Sequence, residues 1–159
     1  MVVMATVHIV SGFLGAGKTT FAVALAEREN AIRFSLDELY FSLFEEKPTH
    51  VLDPVSMGRL SRVVDTLWMD AVRVGASVVL DLGFWDRARR AQTRAQAESL
   101  GASTRLYWVR CSDEVALERC LARNGSPGAF LISAEGYGEM RSRFEVPVEE
   151  EDPIIVATN

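Results

Sequence analysis

The chain of 159 residues is poor in the groups that staple small domains. It has two cysteines, Cys111 and Cys120, whose spacing matches neither a zinc knuckle nor a redox pair. Its two histidines, His8 and His50, have no partner at metal-ligand spacing. Structural zinc, a disulfide framework and thiol redox chemistry are therefore excluded as organising principles. At this length a hydrophobic core suffices without them, and a single domain over 1–159 is expected. No apolar run approaches the roughly 20 residues that cross a bilayer. The apolar start from Met1 to Val10 lacks a basic leader and runs straight into a glycine loop, so it reads as a first strand and not as a signal peptide. A cytoplasmic protein with no membrane partner is the expectation. The formal net charge of −5 argues against a polyanionic partner, because nucleic-acid binders carry a basic face that releases counterions. A short oligonucleotide end stays compatible as a substrate.

What is present is alternation. With 48% hydrophobic and 25% charged residues the composition is that of an ordinary globular chain. Val7 to Val10 reads as a strand, and Lys18 to Glu29 carries a helical stripe at Phe21, Ala22, Leu25 and Ala26. Ala31 to Ser35 reads as a second strand, followed by a mixed aromatic segment through Phe44, and Glu45 to Ser56, with Pro48 and Pro54, as a loop. From Met57 to Val72 the apolar positions follow the 3.6-residue period, with Gly75 placed to end the helix in a left-handed cap. Ser77 to Asp81 reads as a buried strand, and Asp86 caps a helix running to about Leu100 with Gly101 as terminator. A strand at Arg105 to Arg110, a helix from Asp113 to Arg123, a turn cluster at Asn124 to Ala129, a short helix within Ser133 to Phe144 and a last strand at Ile154 to Val156 complete the chain. Strands alternating with helices, without internal repeat, predict a doubly wound α/β fold: about five parallel strands with helices on both faces.

The first glycine loop carries the chemistry. Gly12-Phe13-Leu14-Gly15-Ala16-Gly17-Lys18-Thr19 fits G-x-x-x-x-G-K-[ST], with a strand before it and a helix after it. In such a loop the glycines let successive N–H groups face phosphates, the lysine reaches the β and γ oxygens, and the threonine hydroxyl ligates Mg²⁺. Gly12, Gly15, Ala16, Gly17, Lys18, Thr19 and Thr20 are the candidate nucleotide-binding residues, and Mg²⁺ with ATP the candidate cofactors.

Two families share parts of this wording. Ser11 to Thr20, SGFLGAGKTT, resembles the loop of the metallochaperone GTPases. The cysteine-rich metal motif and the Asn-Lys-x-Asp guanine reader of that group are missing here. The rest of the chain resembles the small P-loop kinase-like ATPases related to chloramphenicol phosphotransferase, zeta toxin and polynucleotide 5′-kinase domains. The segments that carry this are Arg33 to Leu39, Val78 to Arg90, Leu117 to Asn124 and Arg143 to Pro147, in that order. This second resemblance implies a kinase-like fold with a short lid over about 119–142. It also implies transfer of a γ-phosphoryl group to the hydroxyl of a small-molecule acceptor.

Such transfer needs a base near the nucleophile and cations around the equatorial oxygens. Asp37, just past the second strand, is the candidate general base in contact with substrate; a helix N-cap is its other reading, a role Ser35 could share. Asp81 ends a strand beside the phosphate loop, where an acid holds Mg²⁺ directly or through water. Arg119 and Arg123 share a helix face at the entry to the lid, and the resemblance implies that one or both reach over the phosphates; a pair of solvated arginines is the alternative. Arg90 matches a recurring arginine as a substrate or structural-pair residue, while Arg87 and Arg94 read as surface. Phe84, Trp85, Tyr40, Phe41 and Phe44 divide between an acceptor pocket and the core. The resemblance brings the acidic stretch Val146 to Asp152 near the adenine. A nucleotide-binding regulatory ATPase without acceptor, or a GTPase of the metallochaperone type, are the competing functions.

Overall fold

Burial decides which of the short apolar runs become strands. The computed structural model describes residues 4–44 and 54–159. Thr6–Ser11 (β1) is buried at every position after the first, and Val78–Asp81 (β3) at all four. Ile32–Ser35 (β2), Ser103–Arg110 (β4) and Ile154–Ala157 (β5) complete one sheet in the order β2-β3-β1-β4-β5. Every neighbouring pair is parallel. Strands covered on both faces need near-continuous apolar sequence, which the β1 and β3 runs supply.

Alternate residues of each strand serve opposite layers. Ile9, Leu80 and Leu106 point into one core with Leu60, Val64, Trp68 and Val72 of the helix Pro54–Arg73 (α3) and Ala97 of Arg87–Ser99 (α4). Val10, Val79, Tyr107 and Val109 point into the other, against Ala22 and Leu25 of Lys18–Glu29 (α1). A third cluster at the strand ends gathers Phe13, Ala116, Cys120, Ile132, Tyr137 and Phe144. It joins the glycine loop to Asp113–Ala122 (α5) and Ala134–Arg141 (α6). His8 is buried, with Nδ1 3.2 Å from the Tyr107 hydroxyl.

The α/β class with five parallel strands is the one the alternation implies. Gly75 and Gly101 are left-handed, with φ of 89° and 72°, and follow α3 and α4 as their spacing indicated. Three departures exceed a single residue. The aromatic segment after β2 is a helix, Leu36–Leu43 (α2), capped by the Ser35 hydroxyl, which accepts from the Glu38 N–H. The helix expected from Met57 begins at Pro54, because proline at a first helical position loses no hydrogen bond and brings a preset φ. Pro54–Ser56 therefore leaves the expected loop, whose residues 45–53 lie outside those described. β4 starts two residues before Arg105, as Thr6 pairs with Ser103. Among the described residues, no helix is long and apolar enough to cross a membrane.

Candidate active site

The glycine loop is fixed by close backbone approach. A Cβ on Gly12 would stand 2.4 Å from the Val109 carbonyl oxygen, and one on Gly15, whose φ is 74°, 2.2 Å from that of Ala116. Neither position admits another residue without moving backbone. α1 begins at Lys18, so the unpaired N–H groups of its first turn open onto the loop. The Phe13 carbonyl collects two donors, Lys18 Nζ at 2.9 Å and the Ala16 N–H at 3.3 Å. A single carbonyl thus receives groups that together suit a phosphate. Enclosure lowers the Lys18 pKa, and the nearby Asp81 and Asp37 carboxylates oppose the shift. The cradle, the half-spent ammonium and the N-terminal amides of α1 fit a nucleotide triphosphate.

Parallel register brings two carboxylates to the same edge. Ser35 pairs with Asp81, so β2 and β3 end level and α2 starts beside the end of β3. Asp81 is 7% exposed and lies 3.5 Å from Arg33, whose other nitrogen holds Glu38 at 2.7 Å; the Thr19 side chain and Arg33 draw its pKa down against burial. Asp37 sits in the first turn of α2 and makes no hydrogen bond or ion pair among the described residues. The cap belongs to Ser35, which leaves the Asp37 carboxylate facing an open cleft of about 440 Å³ shared with Lys18, Thr19, Thr20 and Asp81. Desolvation by the cleft walls raises the pKa of both aspartates, against the pull of Lys18. Thr19 and Asp81 together fit a Mg²⁺ ion of the kind such loops hold through a hydroxyl and one acid.

The arginines separate by direction. Arg123 lines the cleft, close enough for its charge to lower the pKa of both Lys18 and Asp37. Arg119, one helical turn earlier, turns to the outside of the loop. It donates to the Gly15 carbonyl at 3.3 Å, the Thr158 hydroxyl at 3.1 Å and the Asn159 carbonyl at 2.6 Å. Thr158 in turn donates to the Ala16 carbonyl at 2.7 Å. This brace on the loop had no signal in the sequence beyond its place after the last strand.

Arg90 is fully buried and away from the acceptor space. Its Nε and Nη2 grip Glu151 at 2.7 and 3.0 Å, while Nη1 donates to the carbonyls of Phe84 and Glu145 at 3.0 and 2.9 Å. Of the two roles open to Arg90 the geometry supplies the structural pair, since no face of the guanidinium remains for substrate. Glu151, within the acidic stretch expected near the base, points inward as its partner. Arg94, expected on the surface, is half-buried and donates to the Glu151 carbonyl. The same clasp holds Phe84, a non-glycine residue at φ 50°, whose carbonyl also receives the Ser11 hydroxyl at 3.0 Å. Strain of this kind persists where surroundings over-determine it, and here it directs the chain that carries Trp85 along the cleft.

The cleft has an apolar roof that sequence periodicity missed. Asn124 bridges the loop between α5 and α6 by donating to the Ile132 carbonyl at 2.7 Å and accepting from its N–H at 2.9 Å. That closure brings Phe130, Leu131 and Ile132 over the cleft beside Met57 and Met140. Phe130 rests on Phe41, ring centroids 4.6 Å apart, and on Tyr40 at 5.9 Å. Phe84 and Trp85 therefore line the cleft, whereas Tyr40, Phe41 and Phe44 pack with one another, and Tyr40 and Phe41 support Phe130.

A family model described as an AAA domain matches residues 7–147. No curated protein matches the chain. Among solved structures, a chain of the Pnkp1/Rnl/Hen1 RNA repair complex is similar at 18% identity with a TM-score of 0.73, over 88% of this chain and 44% of its own length. Kti12 from Chaetomium thermophilum, in complex with ADP-AlF3, gives 0.68 at 18% identity, over 95% and 88%. A gluconokinase from Sinorhizobium meliloti gives 0.63 at 18% identity, over 97% and 83%. The chain spans less than half the length of the two repair-complex chains it matches, 44% and 39%. At such identities these likenesses are likenesses of fold.

Proposed function

The chain belongs to the AAA domain family and has the P-loop kinase-like fold, and from that premise we propose that it is an ATP-dependent phosphotransferase acting on the hydroxyl of a small molecule. One observation carries the reading. Of the two carboxylates whose charge acts on Lys18, Asp81 is paired with Arg33 at 3.5 Å, while Asp37 has no partner among the described residues. A pure binder or a switch needs the loop and a metal-holding acid; it has no use for a second, unpaired carboxylate. A base does.

Bound MgATP supplies the phosphoryl group and cationic charge at its oxygens. Lys18 and the amides of the loop and of α1 hold the phosphates, and Thr19 with Asp81 would hold the metal. Asp37 accepts the proton of the acceptor hydroxyl, and its raised pKa moves it toward the strength a base needs near neutral pH. Arg123 contributes positive charge from the lid side of the cleft, and Arg119 with Thr158 positions the loop from behind. The roof of Phe130 to Ile132 excludes water from the acceptor.

The test is Asp37→Asn, assayed for nucleotide binding and for phosphoryl transfer. Binding is retained and transfer is lost; transfer at the unmodified rate overturns the assignment.

A further inference from the structure

Arg33 stands between two acids, and the way it divides itself between them bears on the metal site. Arg33 and Ser35 project from one face of β2, as alternate residues of a strand do, and the parallel register sets them level with Val79 and Asp81 of β3. The guanidinium therefore rises along that face toward the ends of both strands. There it meets Asp81 on one side and, past the Ser35 cap, Glu38 in the first turn of α2 on the other.

The division is unequal. Nη2 lies 2.7 Å from both Glu38 oxygens, whereas Nη1 lies 3.5 Å from one Asp81 oxygen, beyond the usual range of an N–H···O bond. Yet Glu38 is the acid in water, its side chain 57% exposed against 5% for Asp81. Charge pairs are screened least where water is excluded, so a guanidinium free to choose would gain more at Asp81. The short contacts at Glu38 draw it the other way. What results is an Asp81 carboxylate steadied by a cation but not consumed by it, with oxygen left for a metal ion beside Thr19.

Resting on the metal-holding role given above to Thr19 and Asp81, we propose that Glu38 is a positioning residue for this site: it draws Arg33 off Asp81 and keeps that carboxylate available to the divalent cation. Without the Glu38 charge, Arg33 closes on Asp81 and competes with the cation for it. Arg33 is then the cause of the loss, and removing it as well relieves the loss. A Glu38 that only anchored α2 would behave otherwise, since deleting its partner too could only loosen the structure further. The cap of α2 is independent of this charge, because the Ser35 hydroxyl accepts from the backbone N–H of residue 38.

The experiment uses the full chain with ADP and with Mn²⁺ as the probe, a cation that shares the preference of Mg²⁺ for oxygen ligands and whose free form is read by its EPR signal. Glu38→Gln is expected to weaken Mn²⁺ binding to the ADP complex by about tenfold or more, within the range lost when a partner behind a metal ligand is changed. Its affinity for ADP in EDTA should stay that of the unmodified protein. Glu38→Gln combined with Arg33→Met is expected to bind Mn²⁺ more tightly than Glu38→Gln alone, and Arg33→Gln replaces Arg33→Met should the latter not fold. Unchanged Mn²⁺ affinity in Glu38→Gln overturns the proposal, as does a double variant no tighter than the single one. A matching fall in ADP affinity in EDTA marks a general loosening and overturns it too. Mn²⁺ binding that survives Asp81→Asn removes the metal role of Asp81, and this proposal with it. None of these readouts needs an acceptor, so an absence of phosphoryl transfer to any hydroxyl would overturn the phosphotransferase reading and leave the role of Glu38 intact.

Discussion

Arg90 and Lys18 are both cations enclosed near the C-terminal edge of one sheet, and the protein treats them in opposite ways. The Arg90 guanidinium meets both oxygens of Glu151 and two backbone carbonyls. Burial pushes the Glu151 carboxyl up, but hydrogen bonds from Arg90 and the Val148 N–H outweigh that and leave it below its ordinary pKa. Lys18 has one carbonyl, at Phe13, and two carboxylates whose pKa values are raised. A charge that serves architecture is paired to completion, because an unpaired buried ion is costly. A charge that serves a ligand is left partly unpaid, and perturbed titration marks the place. The molecule thus carries a closed clasp and an open cleft a few residues apart, joined through Phe84.

Breaking the clasp should have the largest effect. Arg90→Met leaves Glu151 buried without its partner and is expected to cost about 3–5 kcal/mol in denaturant-induced unfolding. Arg90→Met combined with Glu151→Leu should recover much of that loss, since well-packed apolar replacements of a buried pair are often neutral. A stable Arg90→Met protein that had lost only transfer would erase the distinction between the two regions.

The cleft side is sharpened by the two lid arginines. Arg123→Ala is expected to lower kcat by roughly 10²-fold, the scale of one lost transition-state donor. Its stability should stay within about 0.5 kcal/mol, as for other exposed positions. Arg119→Ala loosens the loop from behind, so steady-state kinetics should show mainly a raised KM for ATP. A reversed pattern would move the catalytic role from Arg123 to Arg119.

The smallest effect is in pH dependence, where the two regions should respond with opposite sign. Glu151 has a lowered folded pKa, so its contribution is present above the ordinary carboxylate range and fades as pH falls through the lowered value. Asp37 and Asp81 have raised folded pKa values, so theirs favours the fold below the ordinary range and is lost as pH climbs through the raised values. Asp37→Asn should therefore raise the Tm of nucleotide-free protein slightly at pH 7 and not in acid, whereas Glu151→Gln should lower it at pH 7. The acid limb of transfer should sit above the ordinary carboxylate range. Thermal melts and pH–rate profiles check both.

Much of the fold was legible because its signals are local. Apolar runs at Val7 to Val10 and Val78 to Leu80, the stripe from Met57 to Val72, and glycines at 75 and 101 each speak within a few residues of themselves. Less legible were features set by partners distant in sequence. Arg87, Arg90 and Arg94 share one helix face; the resemblance set Arg90 apart but left it open between substrate and a structural pair, and only Glu151, 61 residues from it, decides. Arg119 and Arg123 likewise look equivalent until Thr158 and Asn159 take one of them. Asp37 and Ser35 competed for one cap, which the hydroxyl won because its oxygen meets the Glu38 N–H. The loop residues Phe130 to Ile132 show no period at all, since a side-chain bridge from Asn124 and not a helix holds them.

By itself the sequence determined that a strand, a phosphate-binding loop and a helix follow one another at Val7 to Glu29, and that the remainder alternates strand with helix. Those outcomes depend on φ preferences, periodicity and missing side chains, all properties of neighbouring residues. Only the tertiary structure decided which carboxylate is left without a partner among the described residues, which arginine faces the cleft and which side chains line it. Those depend on strand order and register, which set Asp81 level with Ser35, and on contacts across the chain. Pairing a charge removes it from chemistry, and whether a charge is paired is settled only when the distant partner arrives.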